Sequence, residues 1–457
     1  MPIASVNPAT GELLRTFFAD DAATVDAKLA SAAQGAHEWA RTPISERATL
    51  LTRVADRLDA RAEFLARLCT TEMGKPIQAA RDEVAKCAAA CRAYAQNAAT
   101  FLAPEVVDGP LQSVHVSPLG VVLAVMPWNF PFWQVFRFAA PAIVAGNVAL
   151  LKHASNVPQC ALAIAAVFAE AGAPSGVFQT LLVEGAGVEA LIADPRIAAV
   201  TLTGSEPAGR AVGAQAGHHL KKVVLELGGN DPFIVLASAD VERAADVAVA
   251  ARTVNSGQSC IAAKRFIVVD AVYDRFLTRF VAGMRALVVG DPMQPHTQIG
   301  PLATAAIRAE VAQQVEASVQ AGARVLCGGI VPPGPGNYYP PTVLLDVPRA
   351  CPAARDEIFG PVAAVFRVAD AAAALELAND SRFGLGASVW THDIREADAF
   401  AADLHVGMVF VNDLVASDVR FPFGGVRASG HGRELARHGL REFVNIKTVR
   451  MSRIAAV

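Results

Sequence analysis

Three residue environments in this 457-residue chain have side chains and spacing suited to chemistry. Cys260 lies in NSGQSCIAAKR, after a small, polar, glycine-containing turn that can expose a thiol, whereas Cys87, Cys91 and Cys160 stand in alanine-rich helical stretches. An accessible thiol becomes a nucleophile once ionised, although a cysteine taken singly is commonly a small buried hydrophobe. Glu226, in LELGGNDP, ends an apolar run and precedes two glycines. That puts a carboxylate at the carboxyl edge of a sheet, where α/β clefts collect ligands. Asn129, in PWNFP, sits between prolines just after GVVLAVM, a rigid turn able to aim one amide donor into a cleft.

A phosphate site is less plainly written. No G-x-G-x-x-G follows the first apolar run, so the ordinary dinucleotide fingerprint is missing. TGSEPAG stands in its place: Gly204 and Ser205 follow IAAVTLT and precede a helix with Gly209 in its first turn. Free N–H groups and the positive helix end can there face a pyrophosphate. Lys152 closes NVALLK, putting an ammonium at a sheet edge beside His153, Ala154 and Ser155, though such a lysine is equally an ordinary solvated strand end. The ten histidines include one adjacent pair, His218 and His219, and no H-E-x-x-H, so no metal is expected.

The elements that must hold these residues follow from periodicity. Residues 21–104 are alanine-rich with charges at helical spacing and predict a helical preface, one helix of which stops at Gly74. From Leu119 short apolar runs alternate with helical segments: GVVLAVM, NVALLK, VFQTLLV, IAAVTLTG and KKVVLELG. A second series follows Asp231: DPFIVL, KRFIVVD, ARVLCGG, PTVLLD, AAVFRV, GASVW and GMVFVN. Alternation of this kind implies parallel sheets with crossover helices, hence two α/β lobes and a cleft. VPPGPGNYYPP (331–341) is expected as a surface loop.

Composition narrows the partners. Lys plus Arg number 40 against 43 Asp plus Glu, and a net charge of −3 leaves no basic surplus for nucleic acid or an anionic membrane. Charged residues at 18% and apolar residues at 53% support large cores. Seven scattered cysteines without framework spacing point to reduced thiols, and MPIASVNPATGELL has no secretory or transit pattern, so a cytoplasmic location is expected. The apolar stretch 119–151 is broken by Pro127, Asn129, Pro131, Arg137, Pro141 and Asn147, and is read as soluble core rather than a membrane span.

Together, PWNFP, LELGG, GQSC, EIFGP and PFGG, with NPATGE (7–12), EMGKP (72–76) and PFGGVRASGHGRE (422–434), resemble the aldehyde dehydrogenase superfamily over essentially the whole chain. LKHASNVPQCA and VLELGGNDPFIV look most like its succinate-semialdehyde dehydrogenases, in particular the short bacterial NADP-using group. The resemblance implies an α/β aldehyde dehydrogenase fold. It has a modified Rossmann cofactor domain (1–104 and 123–229), a catalytic α/β domain (230–428) and a small oligomerisation element (105–122 and 429–457).

The resemblance also implies roles. Cys260 would be the nucleophile, Asn129 an oxyanion donor and Glu226 the general base for thioester hydrolysis. Trp128, Lys152, His153, Ala154 and Ser155 would face the adenosine side, and Gly204 and Ser205 the pyrophosphate. Leu227, Glu357 and Phe359 complete the implied cofactor contacts, the last two at the nicotinamide end. Where NAD-preferring relatives carry a glutamate, this chain has Ser155, which removes a charge that would repel a 2′-phosphate and leaves Lys152 to pair with it. NADP is therefore expected, with NAD use left open. Arg137, eight residues after Asn129, matches the arginine that binds the succinate-semialdehyde carboxylate in relatives, with Ser417 as its companion. A second arginine of some relatives is here Val254, which keeps open a broader-range enzyme acting on other semialdehydes or uncharged aldehydes. Ala262 stands where some relatives carry a redox-switching cysteine. A homodimer or homotetramer is expected.

Overall fold

Apolar runs bounded by glycine and proline become strands buried on both faces, as parallel sheets require. A computed structural model describes residues 3–108 and 111–452. Among these residues the strands form four sheets. The first large sheet has the spatial order Gly430–His431, Lys222–Glu226, Ile197–Thr203, Val121–Met126, Val148–His153, Phe178–Leu181. All its pairings are parallel except that of Gly430–His431 with Lys222–Glu226. The chain runs outward from Val121–Met126 in one direction, then returns to Ile197–Thr203 on its other side. That reversal is the switch point at which doubly wound sheets bind ligands.

The second sheet has the order Arg324–Cys327, Thr342–Leu345, Val362–Val368, Arg265–Val269, Pro232–Val235, Gly386–Trp390, Met408–Val411, parallel but for its first pair. Each sheet has its own buried apolar cluster, one around Leu123, Leu150 and Val200, the other around Phe233, Ile267 and Trp390. The two α/β lobes expected from the alternation are present.

The helical preface forms Ala22–Trp39, Ile44–Ala60, Ala62–Met73 and Ile77–Phe101. Asp21 caps the first by accepting from the Thr24 N–H at 2.8 Å. Gly74 ends the third in the left-handed region at φ 82°, as its place in the sequence predicts. Sequence periodicity did not reveal the antiparallel pair Ile3–Val6 and Leu13–Phe17, which brackets NPATGE. Nor did it divide the C-terminal segment: Gly430–His431 joins the first sheet, while Val444–Arg450 pairs along seven residues with Gln112–Pro118 in a separate three-stranded sheet. The span 119–151 becomes a strand, a turn and the wholly buried helix Trp133–Val144. No described helix is long and apolar enough to cross a membrane.

Candidate active site

Register brings the sequence-predicted residues to one edge. Met126 is level with His153, Val125 with Leu202, and Thr203 with Glu226, so the turns after these strands emerge side by side. The strand ends therefore deliver Asn129, Gly204 and Glu226 to the carboxyl edge of the first sheet. Gly204 is tied there by its N–H, which donates to the Glu226 carbonyl at 3.0 Å.

Cys260 reaches the same edge from the second lobe. Asn255 and Ser256 occupy the left-handed region at φ 53° and 56°, and Gly257 follows at φ 78°. Non-glycine residues enter this region at a cost of order 1–3 kcal/mol each, which the surroundings must over-determine. They do so by hydrogen bonding: the Asn255 side-chain amide donates to the Asn129 carbonyl at 2.7 Å and to the Gln258 carbonyl at 3.0 Å. The Asn129 amide also donates to the Gln258 carbonyl, at 3.1 Å. A side chain on Gly257 would collide with the backbone of Gly360. Lys264 holds the other flank, donating to the carbonyls of Ser259 and Cys260 at 3.0 and 2.6 Å while pairing with Glu357 at 3.1 Å.

All seven cysteines are free, and Cys260 is one of two that are only partly buried. Burial pushes its thiol up to about 12, against the pull of Arg137 and Lys264. The resting thiol is thus neutral near pH 7.

Glu226 is 2% exposed and neither carboxyl oxygen has a hydrogen-bond partner. Burial holds its pKa well above the ordinary range; the Glu434 charge acts in the same direction, and Arg137 and Arg433 oppose it. Its side chain lies beside Gly424 rather than along the cavities that reach Cys260. Arg137 projects from the buried helix Trp133–Val144, ion-paired through Nε with Glu434 and lying over the Phe423 ring, 4.3 Å from its centroid. The start of that helix is fixed by Glu83, which accepts from the N–H groups of Phe132 and Trp133 at 2.9 Å and is ion-paired with Lys75.

Two cavities meet at Cys260 and Gln134. One, of about 270 Å³, is walled by Phe130, Trp133, Arg137, Val254, Ser417 and Phe423, with Lys86 also on its lining. The other, of about 250 Å³, is lined by Trp128, Asn129, Gly204, Ser205, Leu227, Glu357 and Phe359. Trp128 and Phe359 meet edge to face across it at 5.6 Å. Ser205 caps the helix Glu206–His218, and the Glu357 carboxylate accepts from the Gly229 N–H at 3.0 Å.

Lys152, His153, Ala154 and Ser155 lie outside both cavities. Ala154 and Ser155 line a separate small hollow with His153, Ser155 exposed. Lys152 is half-buried, its pKa lowered by desolvation, with no anionic partner among the described residues. The His153 ring is turned inward: Nε2 donates to the Pro131 carbonyl at 2.9 Å and Nδ1 accepts from the Ala154 N–H at 2.9 Å, which leaves neither nitrogen for a ligand. Three residues that shape this site were not singled out in the sequence. Glu434 lies within the quoted GHGRE string, Lys86 is one charge among many in an alanine-rich helix, and nothing local marks Asn255 as left-handed.

The sequence model of the aldehyde dehydrogenase family matches residues 1–449. A succinate-semialdehyde dehydrogenase [NADP(+)] 1 of Mycobacterium tuberculosis is 53% identical over 454 residues, covering 98% of this chain and 99% of the relative. Its namesake in Mycobacterium ulcerans is 54% identical over 455 residues, with the same coverage. The crystal structure of succinic semialdehyde dehydrogenase from Streptococcus pyogenes, in complex with NADP+, superposes at TM-score 0.96 with 36% identity, covering 98% of this chain and all of that one. With the carboxyl-edge cleft, the Cys260 loop and these likenesses in hand, the chain belongs to the aldehyde dehydrogenase family.

Proposed function

We propose that this chain oxidises succinate semialdehyde to succinate with NADP, through a thiohemiacetal and then a thioester on Cys260. The observation that carries the reading is the meeting of two cavities at Cys260, one of which has Arg137 on its wall. Near-full-length relatives that carry this name support it.

Cys260 gives its proton to the Glu226 carboxylate and adds to the aldehyde carbon, and the Asn129 amide and the Cys260 backbone N–H donate to the developing oxyanion. Donors of this kind contribute about 3–4 kcal/mol in comparable sites. NADP, when bound, supplies the hydride acceptor. After releasing that proton to solvent, Glu226 takes one from the water that attacks the thioester; its carboxyl must swing from its place beside Gly424 for these transfers. The residues fit the cofactor: the second cavity offers aromatic walls and the capped N-terminus of Glu206–His218, and Lys152 is a half-buried cation with no anionic partner among the described residues. Ser155 leaves the 2′-phosphate unopposed. Arg137, whose Nη2 has no hydrogen-bond partner, and the Ser417 hydroxyl are assigned to the substrate carboxylate.

The domain partition given by the motifs, a reducing cytoplasmic setting for seven free thiols, and assembly as a homodimer or homotetramer belong to the same reading. Assembly is supported by the separate three-stranded sheet, on or beside which Val106, Val107 and Ile446 are 69%, 69% and 60% exposed. Sedimentation velocity tests it.

The deciding experiment is initial-rate absorbance of reduced cofactor with succinate semialdehyde and with butanal, each with NADP and with NAD. A kcat/KM at least ~10-fold higher for the semialdehyde, about 1.4 kcal/mol of transition-state binding, is expected with NADP. Equal rates on both aldehydes refute the substrate assignment.

A further inference from the structure

The substrate-side cavity holds cations of unequal standing. Arg137 is ion-paired with Glu434, and Lys75, also on the lining, with Glu83. Lys86, on the helix Ile77–Phe101, has no carboxylate partner among the described residues. Its ammonium donates to the Ser417 hydroxyl oxygen at 2.7 Å and lies over the Trp133 ring, 4.5 Å from its centroid. Asp418, the acidic residue next to Ser417, is bound instead to Arg420.

The local hydrogen bonding leaves a vacancy of defined chemistry. Trp133 Nε1–H donates to the same Ser417 oxygen, at 3.1 Å. With both lone pairs of that oxygen used, the hydroxyl proton is free to donate. Two donors, an ammonium and a hydroxyl, therefore face a largely apolar cavity; of the carboxylates on its lining, Glu83 is paired with Lys75 and Asp82 accepts from the Gln78 amide at 3.0 Å. Burial lowers the Lys86 pKa to about 8, with Arg137 adding to the effect and Cys87, Asp418 and Glu83 opposing it. A carboxylate entering the cavity would offset that desolvation and favour the charged lysine.

We infer that Lys86, with the Ser417 hydroxyl, receives the distal carboxylate of the substrate and sets the preference for carboxylated over uncharged aldehydes, a charge that Arg137, committed to Glu434, does not supply alone. The inference rests on the reading above that the substrate is a semialdehyde whose carboxylate lies two methylenes from the reacting carbon. Lys86 contacts the substrate end remote from chemistry, so its effect belongs in KM.

The test compares kcat and KM of the NADP-supplied wild-type, K86M and K86R enzymes on succinate semialdehyde and butanal. K86M keeps an unbranched side chain of similar length beside Trp133 and removes the charge. We expect the ratio of kcat/KM values, semialdehyde over butanal, to fall at least tenfold in K86M, chiefly through KM, and to stay within threefold of wild type in K86R. An unchanged ratio in K86M, or an equal loss on both aldehydes, overturns the role of Lys86. If K86M does not fold, K86Q, which retains a donor to Ser417 but no charge, is judged by the same ratio. A wild-type enzyme with no preference refutes the substrate reading itself, and with it this inference; a wild-type preference that survives in K86M refutes the lysine alone.

Discussion

The Arg137 guanidinium is ion-paired through Nε with the Glu434 carboxylate, and each side chain is 2% exposed. Glu226 feels both: Glu434 drives its pKa up and Arg137 pulls it down. Arg433 adds to the pull of Arg137, yet burial and the Glu434 charge outweigh both. Glu226 therefore holds a proton more firmly than an ordinary carboxyl does and must be ionised before it serves as the base.

Replacing Glu434 by Gln removes the like charge and frees Arg137 to stabilise ionised Glu226. The acid limb of the pH profile of kcat is expected to move to lower pH by about one unit or more, equivalent to ~1.4 kcal/mol. A limb that stays in place disproves the coupling. Because a buried guanidinium loses its partner, the variant should also be less stable, by up to about 3–5 kcal/mol in urea unfolding.

Glu226→Gln replaces a buried carboxyl with an amide of the same shape, so the fold should persist. Steady-state kcat should fall by ~10²–10⁴-fold. A single burst of reduced cofactor, equal to the enzyme concentration, should precede the slow phase, and mass spectrometry should find the acyl group on Cys260. Loss of the burst along with turnover would mean that the proton transfer from Cys260, rather than hydrolysis, is the step that most needs Glu226.

Ser155→Glu puts a carboxylate three residues after the half-buried Lys152, on the turn assigned to the adenosine end, where it would repel a 2′-phosphate. The ratio of kcat/KM with NADP to that with NAD should drop by at least ~10-fold. Retention of the wild-type ratio would show that the phosphate is held elsewhere.

His153 predicts a pH dependence of stability. Burial lowers its pKa to about 4 from the ordinary 6.5, with the Lys152 charge adding to the shift and its hydrogen bond to Pro131 opposing it. The folded state therefore prefers the uncharged ring. Its contribution is complete above pH 6.5 and is lost as pH falls toward 4, because the unfolded chain binds the proton first; the full effect is about 3 kcal/mol. Urea midpoints at pH 7 and at pH 4.5 should differ more in wild type than in His153→Gln. Parallel losses in the two proteins would assign acid sensitivity to other groups.

Much of this architecture was legible because it is local. Val121–Met126 and Ile197–Thr203 announce themselves as apolar runs followed by turn residues, and the turns carry Asn129 and Gly204. Gly74 stops its helix where the pattern says it must. What stayed hidden depends on residues distant in sequence. Glu434 matters because a two-residue strand brings the C-terminal segment against Lys222–Glu226. Lys86 matters because its helix packs beside Trp133 and the Ser417 loop, and an alanine-rich helix gives no sign of which charge faces inward. Left-handed Asn255 is held by the Asn129 carbonyl, from the other lobe, and left-handed Ser256 accepts from the Gly300 N–H, far along the chain.

The junction of the two cavities at Cys260 and Gln134 bears on the order of events in turnover. Apart from Cys260 and Gln134 the walls of the two chambers are made of different residues. Neither visitor must pass through the other's space to reach the thiol. Steric traffic therefore imposes no compulsory sequence of arrival: a dead-end occupant of one chamber should leave the other open to its own guest.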